Sequence, residues 1–407
     1  MRISILTNEY PPHIYGGAGV HVEYLTRELA LQQGGAHEVR VHCFGDQRDV
    51  AGNLRVRGFD DAGAPPAREE RHQRLFGALQ RNLAMAGAAV PTDIAHCHTW
   101  YTHWAGCLIK QLTGAKLVLT THSLEPHRPW KYEQLGTAYH VSSWIERTAY
   151  QNADAVIAVS PSMRDDVHAL YNVPLERIAI IPNGIDPSEY HPTYDTELLR
   201  KYGIDPSEPF VLFVGRITRQ KGIIHLVNAI AGLSPGIQVV LAAGAPDTVE
   251  IEREMAGKVQ AAREASSRNL VWISEMLPRN EIITLYSHAA VFACPSVYEP
   301  FGIINLEAMA CETAVVATDV GGIPTVVTDG ETGILVPLEL SDTADAQPRD
   351  PAAFAHALAQ AINRLMADPD RRRAYGLAGR ARVLERFSWR AIAAQTLALY
   401  ERLSQSR

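Results

Sequence analysis

The sequence predicts an α/β protein built of two doubly wound parallel-sheet, Rossmann-like domains in tandem. Three observations carry that expectation. Short apolar segments of strand length alternate with longer amphipathic stretches of helix length along most of the chain. A length of 407 residues exceeds one ordinary core and suits two domains of about 200 residues each. The alternation breaks at Pro182-Asn183-Gly184-Ile185-Asp186-Pro187, a run of turn residues, and a new cycle follows it. The expected domains are therefore 1–181 and 182–388, with the carboxyl ends of their sheets facing each other across a cleft.

In the first domain the expected strands are Arg2–Thr7, Glu38–Cys43, Ile94–Cys97, Lys116–Thr120, Ala155–Val159 and Arg177–Ile181. Helices are expected near Val20–Gln33, Arg68–Ala88, His103–Leu112, Tyr139–Gln151 and Pro161–Leu170. The last has a start signal, Ser160 as cap and Pro161 in the first helical position. In the second domain, strands are expected at Phe210–Val214, Gln238–Ala243, Leu270–Ile273, Val291–Cys294, Ala314–Ala317 and Gly333–Val336. Leu340–Pro351 reads as polar and flexible. Helices near Pro351–Asp368, Asp370–Arg386 and Trp389–Leu403 finish the chain.

Composition sets the function classes aside. The chain is 46% hydrophobic and 20% charged, as in globular proteins, and its net charge of −7 does not suit a general nucleic-acid binder. No apolar run approaches the ~20 residues of a membrane span. Met1 to Glu9 enters a strand directly, without the apolar region and cleavage site of a signal peptide. The five cysteines are odd in number, scattered and mostly in apolar runs, so reduced core thiols in a cytoplasmic protein are expected.

The chemistry centres on Pro295 to Glu307. An apolar strand precedes it and an amphipathic helix, Ile303 to Ala310, follows, so the stretch is a strand-to-helix turn where open α/β sheets bind ligands. Glu299 lies in the turn, and Glu307 stands about two helical turns further on. Gly302 lets the backbone approach a ligand, and the first helical amides are unpaired donors. Two carboxylates and a ring of amides suit a ligand rich in hydroxyls, a sugar or a ribose. The plain alternative makes both carboxylates surface groups and Phe301 core. A glycosidase acid/base pair ordinarily draws its carboxylates from separate strand ends.

Other loops fall at comparable places. Gly16, Gly17 and Gly19 follow the first strand and open a helix, which makes a phosphate cradle or a tight turn. They are not the dinucleotide-binding fingerprint, since Val22 fills its third position and Cys43-Phe44-Gly45 offers no acid for a ribose. His96 and His98 share a strand face, but no third ligand at close range completes a zinc motif. His122 ends another strand, at the expected ligand edge. Arg128 and Lys131 on the next loop are placed to meet an anionic second substrate, or are merely solvated. Arg216 and Lys221 stand between a strand and a helix in Gly215-Arg-Ile-Thr-Arg-Gln-Lys-Gly222. Arginine grips phosphate oxygens in pairs and lysine adds a mobile charge, so a diphosphate fits there without Walker spacing.

Together these residues resemble the retaining GT-B glycosyltransferases. Gly16-Gly17, His122, Arg216 with Lys221, and the Glu299-x7-Glu307 pair carry the resemblance over nearly the whole chain. More narrowly, Glu9-Tyr-Pro-Pro12, Tyr15-Gly-Gly-Ala-Gly-Val-His21, Ser123-Leu-Glu-Pro126 and Arg128-Pro-Trp-Lys131 resemble the short actinobacterial-type glycogen synthases of the fourth glycosyltransferase family. The resemblance implies ADP-glucose as donor and an α-1,4 link made on an α-glucan or on glucose 1-phosphate. It implies Arg216 and Lys221 on the diphosphate, Gly16 and Gly17 against the phosphates, and Glu299 on donor hydroxyls with the amides of Phe301, Gly302 and Ile303. Glu307 is then on the ribose, His122 on the donor glucose, and Glu9, Tyr10, Arg128 and Lys131 near the acceptor. It also implies a homodimer, and a last helix, about 389–407, that crosses back onto the first domain.

Two positions depart from the wider pattern. Larger starch synthases carry Lys-x-Gly-Gly-Leu in the first loop, where this chain has Ile14-Tyr15-Gly16-Gly17-Ala18. A frequent Gly-Gly-x-Pro-Glu is Gly321-Gly322-Ile323-Pro324-Thr325 here. The expected reaction is glucosyl transfer with retention by same-face attack. It needs no cofactor and no metal, since two basic residues replace one, and neither nucleic acid nor membrane is an expected partner. The rivals are a UDP- or GDP-sugar transferase, including sucrose-type and lipid-mannosyl enzymes, a sugar-nucleotide epimerase of the same fold, and a non-catalytic nucleotide-sugar sensor.

Overall fold

A computed structural model describes residues 1–14, 16–128, 130–265, 269–341 and 347–405. Tyr15 and Pro129, which carry part of the resemblance, and residues 342–346 of the segment read as polar and flexible lie outside them. The chain forms two compact units, Met1–Gly184 with Trp389–Arg407, and Ile185–Ser388.

The first unit holds β1 (Arg2–Leu6), β2 (Glu38–Phe44), β3 (Arg48–Ala51), β4 (Leu54–Phe59), β5 (Ile94–His98), β6 (Lys116–Thr121), β7 (Ala155–Ala158) and β8 (Ile178–Ile180). They form one sheet in the order β3-β4-β2-β1-β5-β6-β7-β8. All neighbours are parallel except β3 and β4. Buried parallel strands read as continuous apolar runs because helices cover both faces, and β1 and β7 are buried at almost every position. The sheet winds outward from β1 in one direction through β2 and then resumes on its other side at β5, so β1 and β5 flank the switch point.

The pair β3–β4 was not expected from the sequence. Every residue of Arg48–Ala51 is exposed, so no burial pattern marks that strand. It is a short edge strand carrying Arg48 and Asp49, and short charged edges resist pairing with a further chain. Leu54 and Val56 of β4 are buried while Arg55 and Arg57 are exposed, a period of two that was present to be read.

The second unit holds β9 (Phe210–Arg216), β10 (Gln238–Gly244), β11 (Leu270–Ile273), β12 (Val291–Cys294), β13 (Val315–Asp319) and β14 (Gly333–Pro337). They form a parallel sheet in the order β11-β10-β9-β12-β13-β14. Its switch point lies between β9 and β12, paired at Val211–Val291 and Leu212–Phe292. Phe213, Leu226, Leu241, Met255, Leu358 and Leu365 meet in its core.

The helix Trp389–Gln405 packs in the first unit. Trp389 stacks on Tyr24 with centroids 5.6 Å apart, and the Tyr400 hydroxyl lies 2.6 Å from His96 Nδ1. No helix among the described residues is long and apolar enough to cross a membrane.

Local start signals act as their chemistry requires. Ser160 caps Pro161–Tyr171, its Oγ accepting the Met163 N–H at 3.2 Å. Ser160→Ala removes that acceptor and should cost about 1 kcal/mol. Urea unfolding followed by circular dichroism measures it, and an unchanged midpoint would show that the cap contributes nothing.

Candidate active site

In the second unit the loops after β9 and β12 meet at the switch point. Gly222 has a left-handed φ of 62°, and a Cβ there would lie 2.0 Å from the Pro295 carbonyl oxygen, so only glycine lets the two loops approach this closely. The Val297 N–H donates to the Gln220 carbonyl at 3.0 Å. These contacts bring Lys221 Nζ to 2.7 Å from Glu299 Oε2. The Ser296 hydroxyl donates to the same oxygen at 3.2 Å. The turn is held from behind as well, since the Gly322 N–H donates to the Glu299 carbonyl at 2.8 Å. Burial disfavours the Lys221 ammonium, but the nearby Glu299 carboxylate outweighs it and the pKa is raised, so the lysine is charged throughout the neutral range.

Arg216 ends β9, and its Nη1 donates to Asp247 Oδ1 at 3.0 Å. Phe301 is core, with its ring against Phe387. Gly302 precedes the helix Ile303–Ala310 with a φ of 99°. The Asn305 N–H donates to the Gly302 carbonyl at 2.9 Å, and the N–H groups of Ile303 and Ile304 before it fall outside the intrahelical ladder. Glu307 is held by two hydroxyls, with Tyr190 donating to Oε1 at 3.2 Å and Tyr286 to Oε2 at 3.0 Å. Burial raises its pKa while the two tyrosines hold it down. One edge thus gathers Arg216, Lys221, Glu299 and helical amides, with Glu307 on the helix behind. Sequence reasoning missed Asp247, Ser296, Tyr190 and Tyr286. Only Ser296 had a signal, its place in the same turn.

The first unit presents a different chemistry. Gly16 caps the helix Gly17–Leu31, and Gly17 opens it, exposed. Glu9 and Tyr10, expected near an acceptor, are turned inward. Glu9 Oε2 accepts the Gly16 N–H at 2.9 Å, so this carboxylate supports the glycine loop from below. Tyr10 is a core residue whose hydroxyl pairs with Thr26 Oγ1 at 3.0 Å.

Histidines crowd the carboxyl ends of β5 and β6. His96 is satisfied at both ring nitrogens, by Tyr400 and by Thr120 at 2.7 Å, and is structural. His98 Nδ1 lies 2.9 Å from His122 Nε2. His21, from the helix Gly17–Leu31, packs against both rings. Burial, reinforced by the neighbouring imidazoles, lowers the pKa of His98 and His122 well below the ordinary histidine value. All three are therefore neutral at pH 7, and His122 can donate or accept one hydrogen bond but carries no charge. Thr99, between β5 and the helix Trp100–Thr113, has a φ of 68°, a strained conformation for a β-branched residue. Such strain clusters at functional sites.

The loop after β6 rests on two buried acids. Glu125 accepts from Ser142 Oγ at 2.8 Å, and its N–H donates to Glu146 Oε2 at 2.9 Å. Tyr171 also donates to Glu146. Arg128 Nη1 donates to Ser123 Oγ at 3.2 Å and lies 3.9 Å from Glu125. Lys131 pairs with Gln134. Glu125 thus anchors the loop that carries Arg128. Burial and the charge of Glu125 push the Glu146 carboxyl up to about 8.

A model of Glycosyltransferase Family 4 matches residues 15–189, and one of Glycosyl transferases group 1 matches residues 195–382. The chain is 49% identical to alpha-maltose-1-phosphate synthase of Mycolicibacterium smegmatis, over 99% of this chain and 100% of the relative. It is 28% identical to glycogen synthase of Mycobacterium tuberculosis, over 98% of this chain and 94% of the relative. The structure of sucrose-phosphate synthase from Thermosynechococcus elongatus superposes with a TM-score of 0.77, covering 100% of both chains at 27% identity.

The buried acid pair makes stability depend on pH. Glu146 holds a proton in the folded chain that the unfolded chain releases above its ordinary value of 4.5. The folded state therefore binds more protons, and this group's contribution falls as pH rises from about 4.5 to about 8. Glu146→Gln keeps an acceptor oxygen and removes the titration. Its unfolding free energy should decline less than that of the unmodified protein across that window. Equal slopes in urea titrations would refute the assignment.

Proposed function

Because the chain belongs to the GT-B glycosyltransferases of the fourth family, we propose that it moves glucose from ADP-glucose to O4 of glucose 1-phosphate, giving α-maltose 1-phosphate and ADP. The observation that carries this choice of acceptor is the full-length 49% identity to an alpha-maltose-1-phosphate synthase, against 28% to a glycogen synthase. ADP-glucose as donor rests on the motif resemblance of the sequence.

The chemistry follows from the groups at the switch point of the second unit. As the bond from glucose C1 to the β-phosphate oxygen lengthens, negative charge collects on the departing diphosphate. Arg216, Lys221 and the first amides of the helix Ile303–Ala310 meet it, the electrostatic stabilisation that dominates such transfers. Glu299 keeps Lys221 charged at neutral pH, and the planar Arg216 guanidinium can grip phosphate oxygens in pairs. Glu299 has one oxygen on Lys221 and Ser296, and its carboxylate accepts donor hydroxyls as well. Glu307, oriented by Tyr190 and Tyr286, takes the ribose. His122, held neutral, offers a hydrogen bond to the donor sugar without competing for the phosphate charge.

The acceptor hydroxyl attacks C1 from the face the diphosphate leaves. Its O–C1 bond forms as the old one breaks, and its proton passes to the leaving phosphate oxygen. Configuration at C1 is retained. Arg128 is the group proposed to bind the acceptor phosphate.

ADP release from ADP-glucose, with glucose 1-phosphate and glycogen as parallel acceptors, tests the reading. Faster turnover with glucose 1-phosphate is expected. Faster turnover with glycogen would make the chain a glucan-extending synthase, and no ADP from either would withdraw the donor. Lys221→Met and Glu299→Gln should each lower kcat by more than about 100-fold while circular dichroism still reports a folded chain. Near-normal rates in both would remove these residues from the site. Arg128→Ala should raise KM for glucose 1-phosphate by more than about tenfold and leave KM for ADP-glucose unchanged. An equal rise for both substrates would deny Arg128 its acceptor role.

A further inference from the structure

The histidine cluster of the first unit has more ligating capacity than sugar contact uses. His21 comes from the helix Gly17–Leu31, His98 from the end of β5, and His122 from the residue after β6. One ring nitrogen of each lies within 4.8 Å of the others. Bonds of about 2.0–2.1 Å from imidazole nitrogen to zinc place tetrahedral ligands roughly 3.3 Å apart, so small side-chain shifts bring the three to a common ion. His98 Nδ1 and His122 Nε2, 2.9 Å apart, share a hydrogen bond whose proton an ion held by both would displace.

Two further features point to a ligand. His21 Nε2 is buried without a hydrogen-bond partner among the described residues, an arrangement that native interiors rarely tolerate. The other nitrogen of His21 is tied at 2.6 Å to Asn183 Oδ1. A metal-binding histidine is commonly oriented in this way, through its second nitrogen. His96, the nearest other imidazole, spends both nitrogens on Tyr400 and Thr120 and is not a ligand.

We propose that His21, His98 and His122 form a site for a divalent transition-metal ion of the zinc class, and that its occupation inhibits transfer by taking His122 from the donor sugar. Three imidazoles without a carboxylate favour zinc, cobalt, nickel or copper over magnesium and calcium. The inhibitory half rests on the glucosyl-transfer reading. The binding half does not.

The test uses the metal-free full chain and Co²⁺, whose visible absorption reports its ligands, with Zn²⁺ as competitor. One equivalent of Co²⁺ should give a visible band that Zn²⁺ displaces. His21→Phe keeps a ring beside Trp389, and His98→Phe is the second variant. Each removes a ligand and should weaken binding by more than about 100-fold, with folding checked by circular dichroism. No band in the unmodified protein, or equal bands in both variants, overturns the site. In parallel, Zn²⁺ should suppress ADP release in the unmodified protein, and chelator should restore it. Binding without suppression overturns the inhibitory half and leaves the site standing. Metal-free protein that transfers no glucose overturns the activity reading, and with it the inhibitory half, while the Co²⁺ band still decides the site.

Discussion

The ion pair between Lys221 and Glu299 joins residues 78 positions apart in the chain, and much of the second unit serves to make it. It exists because β9 and β12 are neighbours in a sheet whose order reverses there. Gly222 admits the Pro295 carbonyl, Gln220 receives the Val297 amide, and Gly322 steadies the Glu299 carbonyl. Each partner alone would be a charge partly withdrawn from water, which is costly. Together, with Ser296 as a further donor, they satisfy each other while leaving the lysine charged.

A complementary logic governs the first unit. There the groups at the carboxyl ends of the strands are imidazoles packed against one another, and burial strips them of charge. Glu9, the carboxylate beside the glycine loop, is spent on a backbone amide. One unit therefore offers cations and helical amides suited to a diphosphate, and the other offers neutral hydrogen-bonding rings, of which His21 Nε2 and His98 Nε2 have no partner among the described residues. The loop of Arg128 rests on buried Glu125 and Glu146, so the acceptor motif of the sequence is partly an anchoring motif.

Legibility in the sequence followed the range of the interaction. The parallel strands were readable because burial on both faces makes them apolar runs, as in β1, β7 and β12. The cap of Pro161–Tyr171 was readable because it involves residues three apart. The exposed edge strand β3 leaves no such trace, and β4 carries only a short alternation of buried and exposed residues. Tyr10 reads as a loop residue beside two prolines and is in fact core.

By itself the sequence determined the class of the protein: two doubly wound sheets, a strand-to-helix turn bearing Glu299 and Glu307, and a basic loop bearing Arg216 and Lys221. These are consequences of local periodicity, of turn residues and of motif spacing. Tertiary structure alone decided that Lys221 neutralises Glu299, that Tyr190 and Tyr286 hold Glu307, and that His21 joins His98 and His122. The physical reason is that a hydrogen bond or a pKa shift depends on distance and burial. Strand order sets both, between residues that lie a hundred or more positions apart in some of these pairs.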